Sequence, residues 1–144
     1  MNWKVAMLLH NLAGLLMDTN RLAEAEPLPR RALAIDKASF GPNHPYVARD
    51  LENLTLLVQT TNRFTEAERL IRRASTILID FERKNGHPHP HRDQAISNYT
   101  RLLAAMGKSE AEIRAAIASL TGEDGPPRPS LARPRESGDP GEGC

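Results

Sequence analysis

Histidine is the residue type in this 144-residue chain that could most readily hold a metal ion. The candidates lie in two proline-containing segments: His44 in GPNHP (41–45), and His87, His89 and His91 in and just after GHPHP (86–90). Imidazole nitrogens are common ligands of divalent ions, so this spacing admits a metal site. However, the prolines fix the backbone between the rings, and Asp93 is the only acidic or thiol ligand nearby. The sequence therefore favours connecting loops that hold no metal.

A second group of polar residues could recognise a peptide. Asparagine recurs at one position of three helical stretches, although its helix propensity is poor. Either the amides bond neighbouring helices or backbone groups, or they form a ladder along a groove. An amide offers both a donor and an acceptor, so such a ladder could pair with the backbone of an extended peptide. The candidate peptide-binding residues are Asn11, Asn53 and Asn98, with His10, Gly14, Glu52 and Leu56 beside them as determinants of selectivity.

The sequence shows no motif for catalysis or for binding a cofactor. It contains no glycine-rich phosphate loop, no nucleophile elbow and no His-Glu-x-x-His motif, so we predict no catalytic residues and no cofactor. Nineteen basic and 18 acidic residues give a net charge of +1, and aromatic residues make up 4%. This balance argues against a nucleic-acid partner. No apolar run is long enough to cross a membrane.

Localisation is inferred from two weaker features. The single cysteine, Cys144, cannot form an internal disulfide, which fits a reducing cytoplasm. The first 16 residues, MNWKVAMLLHNLAGLL, imitate a secretory leader, and AEA follows at 23–25. His10 and Asn11 interrupt the apolar run, and the same pattern recurs inside the chain, where no leader could be. We therefore predict a cytoplasmic protein.

An internal repeat must position these residues. NRLAEAE (20–26) reappears as NRFTEAE (62–68), and identities at the same 42-residue offset run from Val5 and Val47 to Ile35 and Ile77. The proline-containing segments are 45 residues apart, so we expect the helix before Gly86 to be about one turn longer than its counterpart. A period in the range of about 20–50 residues is typical of stacked repeats.

Each repeat predicts two helices, because apolar residues recur at helical spacing. In the first repeat the stripes are Leu9, Leu12, Ala13 and Leu16, then Ala25, Leu28, Ala32 and Ile35 in a helix from about 23 to 37. No strand pattern is present. The prediction is an all-α array of antiparallel helix pairs, with about two and a half repeats over residues 1–120. Residues 121–144 are rich in proline, glycine and arginine and are predicted to be a disordered tail.

The phrases HNLAGLL, NRLAEAEPL and GPNHP resemble tetratricopeptide repeats, especially the 42-residue variety of kinesin light chains and many bacterial proteins. The resemblance covers about residues 3–120. It implies that the helix pairs form a right-handed superhelical array. It also implies a non-enzymatic module that holds a protein or peptide in a concave groove, where that family's groove asparagines are held to contact the peptide backbone. Two alternatives stay open: a truncated sensor array of a bacterial signalling ATPase, and a metal-binding accessory protein that uses the histidines.

Two features depart from that family. Pro29 stands where its members usually carry an aromatic residue, and proline in a helix interior costs about 3 kcal/mol. We therefore expect the second helix to be kinked or frayed near its start. The array is also short for a stack, which needs about three units to bury a continuous core. Open apolar ends would favour self-association.

Overall fold

The computed structural model describes residues 3–122, and seven helices form the regular structure of that range. They are α1 (Trp3–Asp18), α2 (Leu22–Ala25), α3 (Pro27–Phe40), α4 (Pro45–Thr60), α5 (Phe64–Asn85), α6 (Arg92–Ala105) and α7 (Glu110–Thr121). No strand occurs between residues 3 and 122, and the all-α prediction is confirmed. Of the residues predicted as a disordered tail, Thr121 is the last residue of α7 and Gly122 caps that helix. The rest of that prediction, residues 123–144, lies outside the described residues.

The helices pack as successive antiparallel pairs. The first pair is α1 with α2 and α3, the second is α4 with α5, and the third is α6 with α7. Helix α3 also packs against α4, and α5 against α6, which joins neighbouring pairs. The main core lies where α4, α5 and α6 meet, and Leu54, Ile71, Leu78, Tyr99 and Leu102 are its large members.

The repeated Asn-Arg phrase forms the turn inside the first and second pairs. Asn20 and Asn62 have φ angles of 61° and 64°, a left-handed conformation that asparagine tolerates better than most residues. The arginine that follows then reaches the glutamate three residues later. Arg21 Nε donates to Glu24 at 2.8 Å, and the equivalent Arg63–Glu66 distance is 3.4 Å. The phrase therefore recurs because each turn needs the same local geometry.

Salt bridges connect the outer helices of the first and second pairs. Glu26 accepts hydrogen bonds from Arg30, at 2.8 Å, and from Arg63. Arg30 also donates to Glu66, at 2.8 Å. All four side chains are partly exposed, so solvent screens their charges and each pair contributes little to stability. The network aligns the two pairs more than it stabilises them.

The interruption expected near Pro29 is present, but it lies between two helical segments. Helix α2 ends at Ala25 and α3 begins at Pro27, while Glu26 keeps helical dihedral angles (φ −61°, ψ −40°). Pro27 and Pro29 lack the N–H groups that would bond to residues 23 and 25. Because Pro29 falls in the first turn of α3, where an N–H needs no partner within that helix, its cost is lower than in a helix interior.

The buried stripe of this second helix differs from the expected one. The structure buries Ala25, Pro29, Ala32 and Asp36, whereas the sequence predicted Ala25, Leu28, Ala32 and Ile35. The two stripes share Ala25 and Ala32, and Leu28 and Ile35 are half-buried, so the buried face is turned slightly toward Pro29 and Asp36. In the second repeat, the prediction of a longer helix is confirmed, because α5 has 22 residues and ends at Gly86 with φ of 79°. That left-handed angle suits glycine as a helix terminator.

Candidate functional site

The first helices of the pairs, α1, α4 and α6, carry the predicted peptide-binding residues. Across the α1–α4 contact, Asn53 donates a side-chain N–H to Nδ1 of His10. Burial, followed by the charge of Arg49, lowers the pKa of His10. The imidazole is therefore neutral at neutral pH, with its proton on Nε2, and Nδ1 remains free to accept the bond. This contact fixes the orientation of the Asn53 amide.

The next interface, between α4 and α6, repeats the arrangement with different chemistry. Glu52 faces Asn98, as His10 faces Asn53, so in both cases the residue preceding one repeat's asparagine meets the asparagine of the next. Burial raises the pKa of Glu52 to about 7, and its hydrogen-bonding neighbour Asn98 opposes part of that shift. Gln94 also donates to Asn98 Oδ1, at 3.1 Å. The amides of Asn53 and Asn98 are therefore already engaged between helices.

Asn11 differs from the other two asparagines. It is exposed on α1, and its amide has no hydrogen-bond partner within residues 3–122. A cleft of about 290 Å³ lies beside it, and the lining includes His10, Asn11, Gly14, Pro29 and Asn53. A Cβ at Gly14 would meet nothing within 4 Å, so the glycine leaves the cleft open without being required by packing.

The predicted site residues therefore form two groups and one outlier. The cleft brings together His10, Asn11, Gly14 and Asn53, while Glu52 and Asn98 meet at the following interface. Leu56 lies on α4 with 47% of its surface exposed, and it is not among the residues that line the cleft.

The two histidine-containing segments meet at a second, wider cleft of about 660 Å³. Its lining includes Phe40, His44, Tyr46, Phe81 and His89. The ring of His44 accepts a hydrogen bond from the Tyr46 backbone at 3.0 Å and stacks on Phe40, with ring centroids 4.7 Å apart. His89 accepts one from the His91 backbone at 3.1 Å. These contacts give both histidines a structural role at the start of a helix.

A metal site of three or more His, Cys, Asp or Glu ligands is not found in the part of the chain that the structure describes. No helix within residues 3–122 is both long enough and apolar enough to cross a bilayer.

One cluster of charged residues was not predicted from the sequence. Asp36 of α3 and Asp50 of α4 lie at the interface of the first and second pairs, each only 1% exposed. Arg49 approaches both, at 3.7 Å from Asp36 and 3.9 Å from Asp50. The signal was present in the spacing, because Asp36 follows the buried Ala32 by four residues and Asp50 precedes the buried Leu54 by four. An acidic residue within the apolar stripe of a predicted helix therefore indicates a buried carboxylate.

Comparison with known families gives one match. A family model for the tetratricopeptide repeat matches residues 4–80, which contain the first helix pair and most of the second. The matched range includes Asn11 and Asn53 and ends before Asn98. No curated protein matches the chain.

Proposed function

The chain belongs to the tetratricopeptide repeat family, and from this premise we propose that it holds an extended peptide segment along the face formed by α1, α4 and α6. Membership of this family points to a protein-interaction module rather than an enzyme. We further assign the chain to the kinesin light chain-like variety of the repeat, an assignment supported by the 42-residue offset between Asn11 and Asn53.

The unused hydrogen-bonding capacity beside the cleft is the observation that supports this proposal most. Asn11 has its whole amide available, and Asn53 uses one N–H on His10, which leaves its second N–H and its carbonyl. Together they offer donors and acceptors to the backbone of a peptide laid across α1 and α4. Ligand pockets usually enclose about 300–1,000 Å³, so a cleft of about 290 Å³ suits one anchoring side chain.

Three alanine variants test the proposal: Asn11→Ala, Asn53→Ala and Asn98→Ala. The probe is a peptide selected from a random display library on the immobilised full chain, with its affinity measured by calorimetry. Asn11→Ala should leave the melting temperature unchanged, since Asn11 has no partner to lose among the described residues. Its affinity should fall by about 1–2 kcal/mol, because a peptide group is left unpaired. Asn53→Ala should lose both stability and affinity, because its contact with His10 disappears.

Asn85→Ala is the matched control. Asn85 is an exposed asparagine at the end of α5, on an outer helix, where its amide bonds only to the backbone of Phe81. We expect it to leave peptide affinity unchanged. If Asn11→Ala binds the selected peptide as tightly as the unmodified chain, the ladder is wrong. If Asn53→Ala and Asn98→Ala lose stability without a separate loss of binding, those two asparagines belong to the scaffold.

A further inference from the structure

The two interfaces between helix pairs differ at one pair of equivalent positions. In the first interface these positions hold Asp36 and Asp50. In the second they hold Leu78, which lies 42 residues after Asp36, and Ala95, which lies 45 residues after Asp50. Leu78 and Ala95 are buried in the core, as their apolar character requires. The fold therefore accepts an ordinary apolar contact here, and the acid pair is a special feature of the first interface.

Two ionised carboxylates are unfavourable in such a place. Neither the two oxygens of Asp36 nor those of Asp50 find a hydrogen-bond donor in the structure. One shared proton resolves this, because an Asp50 O–H can then donate to the Asp36 carboxylate. Burial, followed by the neighbouring Asp36, raises the pKa of Asp50 to about 8, and Arg49 opposes part of the shift. Asp50 therefore keeps its proton at neutral pH, and Arg49 supplies the neighbouring positive charge.

The charged groups around the pair come from few elements. Helix α3 supplies Asp36, and α4 supplies Asp50 and Arg49. On α1, the titratable group whose pKa is affected by the charge of Arg49 is His10, which is neutral at neutral pH. Helix α5 meets α4 through buried apolar residues, including Ile71 and Ala74. No second cation among these residues is available to neutralise a second carboxylate.

We propose that Asp36 and Asp50 form a proton-dependent lock between the first and second helix pairs. With the proton present, the two acids are hydrogen-bonded and α3 stays closed on α4. When the proton leaves, the two like charges repel each other in a buried interface, and the pair formed by α1 to α3 loosens from α4. The proposal does not depend on peptide binding.

The direction of the pH dependence follows from where the proton is held more tightly. In the unfolded chain an aspartate has a pKa of about 3.9, so the folded state binds this proton over a wider range of pH. The resulting stabilisation is present in acid and is lost as the pH rises through about 8. For one such group, the unfolding equilibrium constant should rise by about 10- to 100-fold between pH 6 and pH 9. Glu52 adds a smaller effect of the same sign near pH 7, so the comparison belongs in a Glu52→Gln background.

A direct test is the titration of the aspartate carboxyl carbons by NMR, in the full chain labelled at aspartate. We expect one resonance to titrate near pH 8 and to disappear in Asp50→Asn or Asp36→Asn. Titration of every aspartate below about pH 5 would overturn the proposal.

Urea unfolding at pH 6 and pH 9 tests the energetic consequence. Asp50→Asn keeps a donor for Asp36 but cannot ionise, so it should abolish most of the pH dependence. Asp93→Asn is the control, because the Asp93 side chain is 92% exposed, and it should keep the dependence. Should Asp50→Asn not fold, the double variant Asp36→Leu with Asp50→Ala copies the second interface and gives the same readout. An unchanged pH dependence in whichever variant folds would overturn the lock.

Hydrogen exchange at pH 9 locates the effect. We expect amides of α1 to α3 to be better protected in Asp50→Asn than in the unmodified chain, while amides of α6 and α7 stay the same. Equal changes throughout residues 3–122 would show that the acid pair affects global stability and does not act as a lock on one interface.

Discussion

Replacing Pro29 with tyrosine should stabilise the protein, because Pro29 lines the cleft between the first and second pairs. The resembled family usually carries an aromatic residue at this position, and the structure has an opening of about 290 Å³ beside Pro29, Ala13 and Asn53. An aromatic ring at position 29 can occupy that space without displacing the core. The new residue also supplies an N–H that can bond to the Ala25 carbonyl, which proline cannot do.

The magnitude combines two gains and two costs. Burying an aromatic side chain contributes about 1.5–3 kcal/mol, and the new backbone hydrogen bond contributes about 0.5–1.5 kcal/mol. Fixing the tyrosine side chain costs about 1 kcal/mol. Losing the restriction that proline places on the unfolded chain costs about 0.4–1 kcal/mol. The expected balance is a stabilisation of about 1.5 kcal/mol in the free energy of unfolding, within limits of about 0 and 3 kcal/mol.

Urea unfolding followed by far-ultraviolet circular dichroism measures this change. Pro27→Tyr is the matched control, because Pro27 is exposed at the first position of α3 and does not line the cleft. We expect it to leave stability unchanged or slightly lower. A lower stability of Pro29→Tyr would refute the reasoning, since the proline would then belong to the native packing. Equal gains in both variants would show that the cleft is not what tyrosine fills.

Two further variants test the turn and the end of the array. Asn62→Ala should destabilise the protein by about 1 kcal/mol in urea unfolding, because alanine tolerates the left-handed φ of 64° poorly. Asn62→Gly should be neutral or stabilising. Equal losses of stability in both variants would point to a role of the asparagine side chain instead. Leu8 and Leu15 of α1 are 66% and 62% exposed, so we expect concentration-dependent association in sedimentation velocity. The double variant Leu8→Gln with Leu15→Gln should abolish this association, whereas the control Leu56→Gln, at an exposed leucine of α4, should not. A monomer at all concentrations would exclude association through α1.

The order and lengths of the helices could be predicted because each depends on local signals. Gly86 ends α5, and the three extra residues before it lengthen that helix, as the 45-residue offset indicated. The repeated Asn-Arg phrase located both inner turns, since left-handed asparagine is a property of single residues. These features need no knowledge of how the helices are rotated against one another.

The rotation of a helix about its axis could not be predicted in the same way. Leu28 and Ile35 are the more apolar choices, yet the structure buries Pro29 and Asp36 in α3. Helix α5 has no proline, yet it buries Ile71 and Leu78 at the positions equivalent to Pro29 and Asp36, so the same face is buried in both repeats. The acid pair was not predicted, because Asp36 and Asp50 meet only when these faces of α3 and α4 are the buried ones. Which residue Asp36 contacts depends on tertiary packing, and the apolar periodicity of the sequence does not predict it.

The first interface combines both proposals in one place. His10 and Asn53 join α1 to α4 at the cleft, and Asp36 and Asp50 join α3 to α4 behind it. A peptide laid across α1 and α4 would bind only when these helices are closed, and the shared proton favours the same closed arrangement. Two ligands that favour one state must strengthen each other's binding by the same factor. Peptide and proton are therefore expected to be positively coupled through the acid pair, whose positions are occupied by Leu78 and Ala95 in the second interface.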